Sequence, residues 1–153
     1  MKKVKMFTDG SCKGNPGPGG WGTILQFEQN GKVLEKELSG GEGLTTNNRM
    51  ELMAFVKGLQ ALKGPCEVLL TTDSKYLVDA MEKGWAEKWR AYGWVKADKK
   101  PALNADLWEK ILDLTAKHQM TYCWVRGHAG HPENERCDKL ANDAAYRNRG
   151  RLC

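Results

Sequence analysis

The chain has no long hydrophobic run. Nowhere in its 153 residues does an apolar stretch approach the roughly 20 residues that a helix needs to cross a bilayer. The N-terminal residues 1–4 run into a strand-like pattern without the apolar region of a secretion signal. These two absences argue against membrane-spanning and secreted classes, and we expect a cytoplasmic protein.

Paired cysteines are lacking as well. The five cysteines are odd in number, widely spaced and without a CxxC pair, which argues against both a disulfide framework and a zinc site. No serine or cysteine stands in a recognisable base-paired motif, so a covalent nucleophile is not expected. No repeat, low-complexity tract or linker interrupts the chain. Its length fits one domain over residues 1–153, and we expect a monomer.

The net charge of +5 permits a polyanionic partner without demanding one. Six basic residues stand between positions 83 and 100 against two acidic ones, and they alternate with Trp85, Trp89, Tyr92 and Trp94. Basic groups beside aromatic rings suit a nucleic-acid backbone and its bases. A second interpretation stays open, in which Trp85 and Trp89, four positions apart, pack inward on one helix while the lysines remain solvated.

Hydrophobic periodicity predicts an α/β domain with one mixed sheet. Alternation and turn residues predict five strands, at about 3–12, 21–29, 32–39, 66–71 and 120–125. Glycine-rich residues 13–20 predict a tight turn, and residues 40–46 a loop. Helices are predicted after Thr46 to near Gly64, at 74–82, within the basic aromatic segment, and at about 104–118 and 132–147. The first three strands form an antiparallel meander, and the long helix predicts a parallel crossover beside it.

Four carboxylates stand in contexts that are unusual for surface acids: Asp9, Glu51, Asp73 and Asp138. Asp9 lies at the end of a strand pattern. The other three, at or beside predicted helices, have no basic residue three or four positions away of the kind that commonly supports a helical acid. Acids from separate elements are what magnesium needs, because it takes hard oxygen ligands. The joint pattern favours a metal site.

Each of these acids also has a purely structural interpretation. Asp73 could cap the helix that follows it, and residues 48–51 have the outline of a capping box. Asp9 before Gly10 could be a turn residue, and Asp138 a solvated helix acid. The sequence leaves these alternatives open for each residue taken alone.

Several motifs occur in the same order as in bacterial ribonuclease HI, a member of the type 1 ribonuclease H family. The resemblance covers essentially the whole chain. The matching segments are Asp9–Cys12, Asn15–Gly20, Thr46–Leu52, Thr72–Ser74, Gly127–His131 and Pro132–Asp138. The resemblance implies a ribonuclease H-like fold, with three antiparallel and two parallel strands flanked by helices. It also implies endonucleolytic cleavage of the RNA strand of an RNA/DNA hybrid, with 5′-phosphate and 3′-hydroxyl products.

The resemblance assigns the metal-binding catalytic set to Asp9, Glu51, Asp73 and Asp138. Two Mg²⁺ ions are implied there, with Mn²⁺ as a possible substitute. In the family, a histidine assists proton transfer and product departure, and it corresponds to His128 here. His128 lies in a glycine-flanked loop that offers it no structural role. His131 is expected to serve the start of the last helix and His118 a helix end.

Substrate contacts follow from the same resemblance. Contacts to the 2′-hydroxyl, the group that distinguishes RNA from DNA, are assigned to Cys12, Asn15, Asn47 and Asn48, with Glu51 shared. Thr46 and Asn104 match a pocket for a DNA-strand phosphate. The basic aromatic segment contributes Trp85, Lys88, Trp89, Arg90 and Trp94. Alternatives remain for Asn15 as a turn residue and Asn47 as a helix cap.

The chain departs from the family pattern where basic residues are common. Arg90-Ala91-Tyr92 dilutes a cluster that is often consecutive, and Leu44 stands where a basic residue often assists the phosphate pocket. Phosphate contacts set affinity and its salt dependence. We therefore expect weaker hybrid binding at physiological salt than in a relative with the full basic cluster.

Two other functions are weighed against hybrid cleavage. A non-catalytic module that binds RNA/DNA hybrids would require an altered acidic set, and all four acids are present. A proofreading exonuclease on a related fold typically opens with two acids one residue apart on the first strand, whereas Ser11 follows Asp9-Gly10 here.

Overall fold

The computed structural model describes residues 1–127 and 131–149. The strands are β1 (Lys2–Cys12), β2 (Gly17–Gln29), β3 (Lys32–Thr45), β4 (Cys66–Thr72) and β5 (Gln119–Trp124). The helices are α1 (Asn47–Gln60), α2 (Lys75–Glu82), α3 (Trp85–Ala91), α4 (Ala105–Thr115) and α5 (Pro132–Arg149). Among these described helices, none combines the length and the apolar character that a bilayer crossing requires.

The five strands form one mixed sheet in the order β3-β2-β1-β4-β5. β1 pairs antiparallel with β2, and β2 with β3, which confirms the predicted meander. β4 runs parallel to β1 and to β5, and α1 forms the crossover between the antiparallel and parallel parts. The α/β class and the count of three antiparallel and two parallel strands are confirmed.

β2 and β3 are longer than the sequence predicts, which corrects the expected turn at 17–20 and loop at 40–45. Gly19 and Gly20 pair with Glu42 and Gly41 across the two strands. These glycines resemble turn residues in sequence, but their role is a close approach: a Cβ on Gly20 would overlap the carbonyl oxygen of Ala141 on α5. Glycine marks such approaches of another backbone as well as turns.

Helix ends also shift from their predicted positions. α1 ends at Gln60 rather than near Gly64, because the N–H groups of Ala61 and Leu62 bond to carbonyls three residues back and tighten the last turn. α4 occupies Ala105–Thr115, shorter than the predicted 104–118. Neither change moves a proposed site residue to a different part of the fold.

The sheet has two differently packed faces, which we name the α1 face and the α5 face. On the α1 face, Met6 and Leu70 pack with Phe55 and Leu59 in the main apolar core, which also includes Trp108 of α4. On the other face, α5 lies against β1 and β2. Side chains along a strand alternate between faces, and in β2 the residues directed at α5 include Gly20 and Gly22.

Candidate metal centre

Three of the four predicted acids converge at one end of the sheet. One carboxylate oxygen each from Asp9, Glu51 and Asp73 lies within 4.8 Å of the others. The strand register explains two of them: Thr8 of β1 is paired with Thr72 of the parallel strand β4, and Asp9 and Asp73 are the next residues. The third acid comes from the second turn of α1.

Gly10 allows Glu51 to reach the two strand-end acids. A Cβ on Gly10 would lie 2.5 Å from the backbone nitrogen of Glu51 and 2.7 Å from the carbonyl carbon of Met50. Only a glycine permits α1 to approach β1 so closely. Gly10 is paired with Trp21 inside the strand, so the interpretation of Asp9-Gly10 as a turn is wrong.

Neither Asp73 nor Glu51 serves as a helix cap. The hydroxyl of Ser74 caps α2 by accepting a hydrogen bond from the Leu77 N–H at 3.2 Å. Thr46 caps α1 by accepting from the Arg49 N–H at 3.2 Å, so the proposed capping box at 48–51 and the cap at Asn47 are wrong. Both acids are thereby left without the local structural role that the sequence allowed.

Burial makes the acidic cluster electrostatically unfavourable by itself. Asp9 is 7% exposed and Glu51 is 4% exposed. Burial, followed by the charge of Asp73, raises the pKa of Asp9 from 3.8 to about 8, although its hydrogen bond with Glu51 lowers it. Burial, then the charges of Asp9 and Asp73, raise the pKa of Glu51 well above its ordinary value. Buried carboxylates that lie this close together are stabilised by binding either a proton or a cation.

Asp138 lies near this cluster but outside the group of three. It is half-buried on α5 and lines one cavity together with Asp9 and Asp73. Its charge contributes to the raised pKa of Asp9. The position differs from that of a fully solvated helix acid, which was the structural alternative for Asp138.

The roles predicted for the three histidines are tested to different extents by the structure. His128 lies outside the described residues. The ring Nδ1 of His118 accepts a hydrogen bond from the Cys66 N–H at 3.0 Å, which confirms its structural role. The carbonyl of His131 accepts from the Glu135 N–H at 2.9 Å and closes the first turn of α5, also as predicted.

The residues assigned to the 2′-hydroxyl come together beside the acids. The Asn15 side-chain oxygen accepts a hydrogen bond from the Asn47 N–H at 3.2 Å, joining the β1–β2 turn to the start of α1. The Cys12 thiol donates to the Thr45 carbonyl at 3.3 Å, and burial raises its pKa. Asn48, one residue along α1, is exposed. These groups form one polar surface.

Thr46 and Asn104 are linked through Arg49. The Arg49 guanidinium donates to the side-chain oxygen of Asn104 at 3.4 Å and to both carboxylate oxygens of Asp106 at 3.0 and 2.7 Å. Asn104 itself has a left-handed backbone with φ of 61°. No local sequence signal marks Arg49 for this role, because Asn104 and Asp106 lie more than 50 positions away in the chain.

The basic aromatic segment divides into exposed and packed rings. Trp89 packs against Trp108, with ring centroids 6.0 Å apart, and Trp94 also packs against the core. Trp85 is exposed, with the Lys83 ammonium 5.2 Å from its ring. The inward-packing interpretation is therefore right for Trp89 and wrong for Trp85. Lys88 is exposed, while Arg90 is paired with Asp113 at 2.9 Å.

A model of the RNase H family matches residues 1–146. The chain belongs to the RNase H family. It is 57% identical over 145 residues to a ribonuclease H of Desulforamulus reducens, covering 95% of this chain and 89% of that protein. It is 58% identical to a ribonuclease H of Erythrobacter litoralis, covering 95% of this chain and 97% of that protein.

Solved structures agree with this assignment. The crystal structure of LC9-RNase H1, a type 1 RNase H with the type 2 active-site motif, superimposes with a TM-score of 0.85. The two sequences are 32% identical, and the match covers 97% of this chain and 74% of LC9-RNase H1. The crystal structure of LC11-RNase H1 in complex with an RNA/DNA hybrid matches with a TM-score of 0.70 at 27% identity. The match covers 95% of this chain and 98% of LC11-RNase H1.

Family membership implies dependence on a divalent metal, and the acidic cluster fits one. Among the described residues, the Glu51 oxygen Oε2 is buried without a hydrogen-bond partner. Carboxylate oxygens from three elements supply the hard ligands that Mg²⁺ and Mn²⁺ accept. A bound dication would satisfy that oxygen and offset the repulsion that raises the pKa values of Asp9 and Glu51.

The cavity at the acids also has neighbours that the sequence analysis did not assign to the site. Arg126, His131, Asn134 and Glu135 contribute to its lining. The amide of Asn134 donates to the Thr71 carbonyl at 3.2 Å and so joins α5 to the end of β4. For His131, Asn134 and Glu135, the available signal was their position within the matching segments near Asp138, whereas Arg126 lies just before those segments.

Proposed function

We propose that this chain is an endonuclease that hydrolyses the RNA strand of RNA/DNA hybrids and leaves 5′-phosphate and 3′-hydroxyl ends. One catalytic domain over residues 1–153 would carry the activity. The observation that carries the proposal is the convergence of Asp9, Glu51 and Asp73 within 4.8 Å, with Asp138 on the same cavity. Sequence identity above 50% to proteins named ribonuclease H supports it.

The residues proposed to hold the metal are Asp9, Glu51, Asp73 and Asp138. We propose two Mg²⁺ ions, with Mn²⁺ as a substitute, because four carboxylates balance the charge of two dications. When bound, such ions supply an activated water and stabilise the charge on the leaving oxygen. The protein itself contributes a prearranged set of buried and half-buried carboxylates from four parts of the chain, so little rearrangement opposes binding.

A proton must also move to the leaving oxygen and away from the attacking water. We propose His128 for this role, because imidazole titrates near neutral pH. The proposal rests on its place beside Gly127, since a Cβ on Gly127 would lie 2.9 Å from Asp73 Oδ2. The chain therefore reaches the acidic cluster one residue before His128.

Selection of the hybrid requires contacts to both strands. We propose that Cys12, Asn15, Asn47 and Asn48 contact RNA 2′-hydroxyl groups, because they form a polar surface next to Glu51. Thr46 and Asn104 would receive a DNA-strand phosphate. Arg49 lies between them, and its guanidinium would have to leave Asp106 to supply the positive charge that Leu44 does not.

The basic aromatic segment is proposed as a second contact with the hybrid. Trp85 and Lys88 are exposed and available to a nucleic acid. Trp89 and Trp94 pack against the core, so their main contribution would be to hold the segment in place. Arg90 would first have to leave Asp113. Only part of the segment is free to bind, which supports the expected weak affinity.

We also propose that the protein acts as a monomer in the cytoplasm. Cys12, Cys66, Cys123 and Cys137 are free thiols, which supports a reducing compartment. The acids that form the proposed site all come from one chain, which supports activity without a partner subunit. Sedimentation of the purified protein tests the monomer.

Cleavage of an end-labelled RNA/DNA hybrid, with and without Mg²⁺, tests the proposed activity. The wild type should cut the RNA strand only with the metal, and Asp9→Asn should lose more than about a hundredfold in rate. The matched control is Glu109→Gln, which neutralises an exposed acid on α4 and should retain wild-type activity. Duplex RNA and duplex DNA of the same sequence should remain intact.

The outcomes separate the two functions considered. Binding of the hybrid without metal-dependent cleavage would identify a non-catalytic module instead. Equal cleavage by the wild type and Asp9→Asn would remove the acidic cluster from the mechanism.

A further inference from the structure

Asn142 joins the helix that carries Asp138 to the strand that carries Asp9. Its side-chain oxygen accepts hydrogen bonds from the Ser11 hydroxyl at 2.8 Å and from the Lys13 ammonium at 2.6 Å. Its amide group donates to the backbone carbonyl of Asp138 at 2.9 Å. One half-buried side chain therefore spans from α5 to the end of β1 and the residue just beyond it.

The position of this contact matters because Asp138 stands apart from the other acids. Asp9 and Asp73 are placed by strand register and Glu51 by the close approach at Gly10, whereas Asp138 depends on where α5 lies. The Cys137 thiol also ties α5 to β1, at the Phe7 carbonyl, 3.2 Å away. That bond fixes one point of the helix. Asn142, one turn beyond Asp138, fixes a second.

We propose that Asn142 is a positioning residue, which holds Asp138 at the distance from Asp9 that metal binding requires. The proposal rests on the function proposed above. The backbone contacts at Gly20 and Gly22 hold α5 against β2, and the Asn134 amide joins it to the end of β4. Asn142 adds the tie to Ser11 and Lys13, in the segment that directly follows Asp9. Without that tie, the distance between the Asp138 turn of α5 and the Asp9 end of β1 would vary more, and the affinity for a divalent ion would fall.

A carboxamide makes all three bonds of this contact at once. An amide can accept from Ser11 and Lys13 through its oxygen and donate to the Asp138 carbonyl through its nitrogen at the same time. Aspartate can still accept hydrogen bonds from Ser11 and Lys13, but it cannot donate one to the Asp138 carbonyl. Leucine has nearly the same size and provides none of the three bonds.

The helix offers a matched control six residues further along. Asn148 also donates from its side chain to the carbonyl four residues back, Ala144, at 2.8 Å. A rise of 1.5 Å per residue places it about 9 Å further along α5. Replacing either asparagine by leucine removes one such intrahelical bond. Only the change at Asn142 also removes the bonds to Ser11 and Lys13.

The test compares Mn²⁺ binding to the hybrid-free proteins by calorimetry, supported by thermal unfolding. Asn142→Leu should weaken Mn²⁺ binding by about tenfold, whereas Asn148→Leu should bind as the wild type does. In cleavage assays, Asn142→Leu should need a correspondingly higher Mg²⁺ concentration, with an unchanged KM for the hybrid. Asn142→Asp should recover most of the Mn²⁺ affinity, because it keeps the bonds from Ser11 and Lys13.

Equal Mn²⁺ affinity in Asn142→Leu and Asn148→Leu would overturn the proposal. An Asn142→Asp variant that binds Mn²⁺ as weakly as Asn142→Leu would also overturn it. The bonds from Ser11 and Lys13 would then not be responsible for the Mn²⁺ affinity. If Asn142→Leu fails to fold, Asn142→Ala, which also lacks all three bonds, is compared with the wild type, and equal Mn²⁺ affinity in these two proteins would overturn the proposal. A wild type that binds Mn²⁺ but never cleaves a hybrid would contradict the proposed function and leave the binding comparison valid.

Discussion

The two faces of the sheet are packed by different means. On the α1 face, large side chains such as Met6, Phe55 and Leu59 fill the space between helix and sheet. On the α5 face, small residues bring backbones together, as a Cβ on Gly22 would lie 2.5 Å from the Cys137 carbonyl oxygen. A core of side chains can adjust around a change, whereas a backbone contact cannot do so without moving the helix.

This difference bears directly on the metal centre, because the acids come from both faces. Glu51 belongs to α1 and Asp138 to α5. Damage to the side-chain core of the α1 face, away from the close approach at Gly10, should lower stability without moving the acids. Damage on the α5 face should displace Asp138 as well. The changes below are ordered by their expected effect on the free energy of unfolding.

Gly20→Ala should have the largest effect. Its Cβ would overlap the Ala141 carbonyl oxygen and approach the Ala145 nitrogen to 2.6 Å, so α5 must move. We expect a loss of more than about 3 kcal/mol in the free energy of unfolding, the upper end of typical overpacking costs. The folded fraction should also cleave hybrid more slowly. Urea unfolding and single-turnover cleavage measure the two effects.

The control for that change is Gly64→Ala. No atom lies within 4 Å of a Cβ built on Gly64, so this variant should retain both stability and activity. A Gly20→Ala protein as stable and active as Gly64→Ala would contradict the backbone-packing account of the α5 face.

Leu59→Ala should have the next largest effect on stability. Leu59 is 1% exposed in the core of the α1 face, and truncation of a buried leucine costs about 3 kcal/mol. It lies two turns beyond Glu51 on α1, about 12 Å away along the helix. Cleavage by the folded protein, measured well below its melting temperature, should stay within about twofold of wild type. A larger loss would show that the two faces do not differ.

Asp9→Asn should change stability in the opposite direction. Because burial and neighbouring charge raise the pKa of Asp9 from 3.8 to about 8, folding disfavours its ionised form. The penalty is absent below about pH 4 and grows as the pH rises toward about 8. Each unit of pKa shift corresponds to about 1.4 kcal/mol. The metal-free variant should therefore be more stable than wild type by several kcal/mol at pH 8 and by little at pH 4.

Chemical unfolding in the presence of a chelator at both pH values measures this difference. Glu109→Gln serves as its control, since Glu109 is exposed. A stability gain of the same size at pH 4 and pH 8 would rule out charge repulsion as its cause.

Sequence patterns predicted the five strands and the acidic site because both depend on local signals. Alternation revealed the strands. Asp9 lies in β1, and Asp73 directly follows β4, which runs parallel to β1. The glycines at 17–20 were misinterpreted because turn propensity and close packing use the same residue type. Trp85 and Trp89 share one helical spacing, so only the position of Trp108 in the fold decides which ring is buried.

Long-range polar contacts were beyond the sequence patterns. Asn142 meets Ser11 across 131 positions, and Arg49 meets Asp106 across 57. No local periodicity reports such a pair, because the partners are brought together only by the completed sheet. The cap at Thr46 was missed for a more local reason: neighbouring Asn47 is an equally suitable cap type.

Crystals soaked in MnCl₂ give the most direct test, through the anomalous scattering of manganese. We expect manganese bound among the carboxylate oxygens of Asp9, Glu51 and Asp73 in the wild type, with Asp138 on the same cavity. The same soak of Asp9→Asn crystals should show weaker density or none. Wild-type crystals with no manganese at these oxygens, at a concentration that supports cleavage in solution, would contradict the account.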